Sequence, residues 1–78
     1  MVAAKVKSIV SEWAGIKLED ITLESDFTED LALDSLDLVQ LALAFEEAFN
    51  IEIPDADAEN LRTVKQVIDY IESKVNKT

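Results

Sequence analysis

Apolar residues return along this chain at helical intervals in three places, and polar residues fill what lies between. Val2, Val6, Ile9, Val10 and Trp13 recur at i, i+4, i+7, i+8 and i+11, while Lys5, Ser8, Ser11 and Glu12 fall off that face. The spacing predicts a first helix with Trp13 in the core, a partner-binding aromatic being the alternative, and an end at Gly15, which suits the left-handed position after a helix. From Ile16 to Leu33 the period is lost, giving a connection longer than most in small domains. Ile21, Phe27 and Leu31 are its expected anchors, and Ser25 or Asp26 is expected to cap one helical turn before Asp30.

A second helix is expected from Asp34 or Ser35 to Phe49. Asp34 as N-cap places Asp37 at N3, a capping-box arrangement in which both acids also favour the positive end of the helix dipole. Leu38, Leu41, Ala42, Phe45 and Phe49 form its core face, with Asp37, Gln40, Ala44 and Glu47 opposite. Leu36, Val39 and Leu43 make a further apolar strip that one core does not require; either the helix is packed on both sides inside the domain or the strip is left open to dock a partner, and in so small a chain docking is the expectation.

Asn50 to Pro54 reads as an extended connection, followed by a short helix capped by Asp55 or Asp57 with Ala58 and Leu61 facing inward. Asp55, Asp57 and Glu59 imitate a calcium loop, but Asn60 stands where its Gly is required and Gln66 where its terminal Glu is, so no metal site is expected. Thr63 and Gln66 then form a capping box for a last helix, whose stripe is Val64, Val67, Ile68, Ile71 and Val75 and whose final turns carry Lys74 and Lys77. The pattern predicts an all-α fold: a small four-helix bundle of three main helices and one short one, with a long ordered loop between helices one and two.

Composition narrows the chemistry. The 78 residues include no Cys and no His, which removes thiolate chemistry, imidazole bases and the usual zinc ligands. The length suits one small domain spanning residues 1–78, expected to be a monomer, and no run of roughly 18 apolar residues or basic leader is present, so a cytoplasmic setting without membrane insertion is expected, with a mature organellar protein as the alternative. The net charge of −10 is unevenly laid out: Lys5, Lys7 and Lys17 precede the middle, and Arg62, Lys65, Lys74 and Lys77 follow it. The acidic stretch between them repels nucleic acid and steers basic protein surfaces toward itself.

Ser35 stands at the mouth of the second helix between Asp34 and Asp37. As a hydrolytic nucleophile it lacks a His partner and a Gly-x-Ser-x-Gly elbow, and Asp34 and Asp37 look solvated, so no catalytic residue is expected. A serine there is ordinarily a cap or first-turn residue. A phosphodiester on its oxygen, however, meets free backbone amides and the positive helix end.

The run Asp30-Leu31-Ala32-Leu33-Asp34-Ser35-Leu36-Asp37, with Phe45-Glu46-Glu47-Ala48-Phe49 and Ile51-Glu52-Ile53-Pro54-Asp55, resembles the discrete acyl carrier proteins of type II fatty acid and polyketide synthesis. The likeness extends through Thr63-Val64 and Ile68-Asp69-Tyr70-Ile71 and back to helix one. It implies that Ser35 carries 4'-phosphopantetheine, installed from coenzyme A by a phosphopantetheinyl transferase, with acyl intermediates held as thioesters on the arm. The chain would then be a carrier and not an enzyme, visited by synthase and acyltransferase enzymes with basic docking patches. The resemblance makes Leu36, Val39 and Leu43 the apolar part of the docking surface and Asp34, Asp37, Glu46 and Glu47 its charged part. It also implies an acyl pocket lined by Phe27, Ala42, Phe45, Ile53, Ala58, Leu61 and Ile68, unless that space is a filled core. Ala32 stands where the family commonly has Gly, and Phe45 where a smaller aliphatic is common, which leaves a specialised carrier open. Two alternatives stand beside this reading: an aminoacyl or peptidyl carrier, and a small acidic interaction protein without a prosthetic group.

Overall fold

The computed structural model describes residues 2–75, which form four α-helices: α1 (Val2–Ala14), α2 (Ser35–Phe49), α3 (Asp55–Ala58) and α4 (Val64–Val75). Among the described residues no strand forms, and a 3-10 turn over Leu18–Asp20 interrupts the long loop. α1 packs against α4 and α2, and α3 closes the other flank of α2. The all-helical bundle is therefore the one that the three stripes describe.

Each main helix ends where its local chemistry dictates. α1 stops at Gly15, whose φ of 70° is free of strain only because there is no Cβ. α2 stops at Asn50 in the same left-handed region, φ 55°, with its amide bonded to the Glu46 carbonyl. Asn50 is thus a cap and not the first residue of an extended segment; asparagine is among the few L residues that visit this conformation readily. α4 begins with the expected box: Gln66 N–H donates to Thr63 Oγ1, and Thr63 N–H to Gln66 Oε1, each at 3.2 Å. α3 departs from expectation, because neither Asp55 nor Asp57 caps it. Pro54 is its N-cap, and the Pro54 carbonyl accepts from the amides of Asp57 and Ala58 at 2.9 Å.

The core collects Val6 and Val10 from α1, Leu41 and Phe45 from α2, and Val64, Val67, Ile68 and Ile71 from α4, with Ile53 from the connection before α3. Ile21, Phe27 and Leu33 enter it from the loop. Burying side chains of this size contributes roughly 1.5–3 kcal/mol each, enough to hold a loop that forms no regular element. Leu31, expected as an anchor, is half-buried and packs against this core, and Leu33, not singled out by the pattern, is sunk deeper in it. Two stripe residues lie outside the core. Val75 is exposed at the end of the described chain. Trp13 is 41% exposed, because the wall of α2 facing it is built from Ala44 and Ala48, too small to cover an indole. Lys74 lies in the last turn of α4 as expected, with its ammonium 5.3 Å from the Tyr70 ring centre; Lys77 lies outside the described residues.

Backbone bonds zip the loop to the start of α4. Phe27 N–H donates to the Arg62 carbonyl, Val64 N–H to Ser25 and Lys65 N–H to Leu23, at 2.9–3.1 Å. Asp26 caps the turn that follows, accepting from Thr28 and Glu29 amides at 2.8 and 2.9 Å. The Glu29 amide is the main reason that the Asp26 carboxyl sits below its ordinary pKa; partial desolvation opposes the shift, and the Thr28 amide and the Arg62 charge reinforce it. Ser25 does not share this cap: it is buried and closes the preceding turn by accepting from Thr22 N–H at 3.0 Å.

The loop then reverses at Ala32, whose φ of 56° brings Leu33 into the core and delivers Asp34 to the start of α2. A left-handed L residue costs roughly 1–2 kcal/mol. Glycine relieves that strain, offset by roughly 0.4–1 kcal/mol of added freedom in the unfolded chain. Ala32→Gly is therefore expected to raise stability by about 0.5–1 kcal/mol, read as a higher urea midpoint at unchanged slope. A lower midpoint contradicts strain at this position.

Candidate functional site

Ser35 is the first residue of α2, and the turn around it is fixed by its neighbours. Asp34 Oδ1 accepts from the Asp37 amide at 2.9 Å, and Asp37 Oδ2 accepts from the Asp34 amide at 3.3 Å. The first intrahelical bond runs from Leu38 N–H to the Asp34 carbonyl at 3.0 Å. Ser35 itself is exposed, and among the described residues nothing bonds its Oγ or the amides of Ser35 and Leu36. The acids do the capping, so the hydroxyl between them is left free and two unused amides lie at the positive helix end.

Beside Ser35 lies an open depression of about 510 Å³ between α2 and α3, lined by Ser35, Leu38, Val39, Asp55, Ala58 and Glu59. Beneath it, between α2, α3 and α4, is a narrow apolar cleft. Of the residues that the resemblance marks for an acyl pocket, Phe27, Ala42, Phe45, Ile53, Ala58 and Leu61 line this cleft, together with Leu38, Leu41 and Val67. Ile68 is buried in the core without reaching the cleft, and Val67 faces it instead. The cleft's free space of about 20 Å³ is little more than room for one water.

The second apolar strip of α2 is open: Leu36, Val39 and Leu43 are 66%, 48% and 54% exposed. Of the acids around it, Asp34 and Glu47 are exposed and Asp37 is half-buried. Glu46 has a structural task that no short-range pattern announces: its Oε2 accepts from the Ile53 amide, seven residues on, at 2.7 Å. That bond ties the connection before α3 back onto α2.

A second cross-link holds α3 from the other side, where Tyr70 Oη donates to Asp57 Oδ2 at 2.6 Å. Asp57 thus anchors its helix to α4 instead of capping it. The only sequence signal for the pair is a tyrosine on the flank of the α4 stripe, since a half-buried phenol needs a polar partner.

A family model described as the phosphopantetheine attachment site matches residues 4–71. The chain belongs to this family, and its prosthetic group is 4'-phosphopantetheine, held covalently. The free hydroxyl, free amides and adjoining depression at Ser35 fit such a group, whose phosphodiester needs one oxygen nucleophile and hydrogen-bond donors. Among the described residues no helix is long and apolar enough to cross a membrane.

The Tyr70–Asp57 bond generates a pH test. Burial first, then the hydrogen bond to Asp57 and the charges of Asp57 and Glu46, push the Tyr70 phenol from 10.0 up to about 12. The proton is held more tightly in the folded state, so this contribution to stability is complete below pH 10.0 and is lost as pH rises toward about 12. The stability difference between wild type and Tyr70→Phe should narrow across that window, and the tyrosinate absorbance of this single tyrosine should rise late. A pH-independent difference contradicts the assignment.

Proposed function

We propose that Ser35 is the attachment point of the 4'-phosphopantetheine arm, and that the chain is a discrete acyl carrier of fatty acid or polyketide synthesis and not an enzyme. The observation that carries the assignment is the unengaged Ser35 hydroxyl on the first turn of α2, exposed beside an open depression while both neighbouring acids are occupied with capping. The arm supplies the thiol on which acyl intermediates ride as thioesters, chemistry for which a chain with no Cys has no side chain of its own.

The chain's own residues do the rest. Asp34 and Asp37 hold Ser35 at the helix mouth, and with their oxygens turned toward cap amides they leave deprotonation of Ser35 to the phosphopantetheinyl transferase. Leu36, Val39 and Leu43 present apolar area to that enzyme and to the synthase and acyltransferase enzymes that follow. Asp34 and Glu47, with the free edges of Asp37 and Glu46, face basic residues across the rim, where charge speeds encounter and salt weakens it. Small contacts of this kind release quickly, which suits a protein that must leave each enzyme for the next.

The cleft behind α2 is the shelter proposed for short acyl chains. Its present free space does not admit one, so entry requires α3 to move. α3 has four residues and depends on the Glu46 and Tyr70 cross-links, which makes it the element easiest to displace.

Incubation with coenzyme A and a phosphopantetheinyl transferase, read by intact mass, tests the assignment. Wild type should gain one phosphopantetheinyl unit and Ser35→Ala none; equal gain by both excludes Ser35. Supplying acyl and aminoacyl donors to the loaded protein, each with its own ligase, then separates an acyl carrier from an aminoacyl or peptidyl one. In the same assay Leu36→Ala should raise the transferase KM roughly three- to tenfold with the helical circular dichroism unchanged. An unaltered KM removes Leu36 from the docking surface.

A further inference from the structure

On the flank of α2 away from Ser35 and α3, a depression of about 470 Å³ runs between α1 and α2. Ile9 and Trp13 form one wall, Ala44 and Ala48 the other, and Glu12 and Glu47 complete its lining. Trp13 lies 41% exposed there although its position in the α1 stripe points it at the core. Glu12 and Glu47 make no ion pair among the described residues. Of the two lysines of α1, Lys5 Nζ reaches the Ala48 carbonyl at 3.4 Å and lies 5.5 Å from the Phe49 ring centre, at the negative end of α2, and Lys7 lines a different depression with Ala3, Ala4 and Leu18. The groove is therefore an open aromatic face bordered by two unneutralised carboxylates.

One side-chain type fits both features. An arginine guanidinium is flat enough to stack on an indole while its N–H fork pairs with a carboxylate, whereas a lysine ammonium supplies a point charge without the plane. A second copy of this chain fits poorly, because it brings another net charge of −10 to an acidic groove. We propose that the α1/α2 groove centred on Trp13 is a second protein-docking seat, taking an arginine-bearing apolar segment of a partner and sharing only Glu47 with the acidic rim of the surface around Ser35. The seat does not depend on the prosthetic group, so it stands or falls independently of the function assigned to Ser35.

Trp13 is the single tryptophan, so its emission reports on this groove alone. The full chain is titrated with a synthetic amphipathic peptide of arginine and leucine, and with the same peptide carrying lysine for arginine. The arginine peptide should change Trp13 emission saturably, bind at least threefold more tightly than the lysine peptide, and lose roughly tenfold in affinity against the Glu12→Gln/Glu47→Gln double variant. The charge-matched Glu19→Gln/Glu24→Gln variant, altered at exposed acids elsewhere, should bind as wild type does. Unchanged emission, equal binding of the two peptides, or equal loss in both double variants overturns the proposal by leaving only diffuse attraction to an acidic protein. Amide shifts confined to Leu36, Val39 and Leu43, or emission that tracks protein concentration without peptide, overturn it in favour of the Ser35 face or of self-association.

Discussion

The reciprocal pair of hydrogen bonds between Asp34 and Asp37 is the constraint on which the working surface depends. It closes the first turn of α2 with side chains, so the hydroxyl of Ser35 is not spent on capping. A serine one place earlier, at the N-cap, would spend its hydroxyl on the first-turn amides. Here the two acids flanking it take that task and leave the serine displayed on a rigid turn, with unpaired amides beside it. In the proposed function their charges also mark the spot for basic partners, so that the same two residues would serve geometry and recognition.

That turn is held in space from behind by the long loop. Phe27 and Leu33 are sunk in the core, Asp26 caps the intervening turn, and the backbone bonds to Ser25, Arg62 and Leu23 fasten the loop to the start of α4. The loop reaches Asp34 only by bending through Ala32 at positive φ, so local strain is tolerated to set the register of the cap. α2 then divides its circumference. One side faces the core, a second borders the Ser35 depression and α3, and a third meets the Trp13 groove on α1. The apolar strip of Leu36, Val39 and Leu43 lies exposed between the two depressions.

The helices, their order and the boxes at Asp34/Asp37 and Thr63/Gln66 were legible in the sequence because each is decided within a few residues. Membership in the phosphopantetheine family was legible for a related reason: the Asp-Ser-Leu core and its flanking segments occur at fixed distances. What was not legible depends on partners far along the chain. Trp13 has the right phase to be buried, and only the small size of Ala44 and Ala48, some thirty residues on, leaves it open. Asp57 has the composition of a cap, yet its carboxylate is claimed by Tyr70 on another helix. Glu46 looked like a surface acid and holds the Ile53 amide. Val67 faces the cleft in place of Ile68 because the rotation of α4 is set by packing against α1, which an apolar stripe leaves free by one residue.

The proposed function gives separate duties to neighbouring parts of one helix: attachment at its first residue, docking along its exposed strip, and cargo shelter behind it once α3 moves. The most direct measurement is a comparison of backbone amide spectra before and after loading with 4'-phosphopantetheine. The account predicts the largest shifts at Ser35 and Leu36, with smaller ones at Val39, Asp55, Ala58 and Glu59 around the adjoining depression. Shifts centred on another serine, such as Ser25 or Ser11, with the Ser35 turn unmoved, would contradict it.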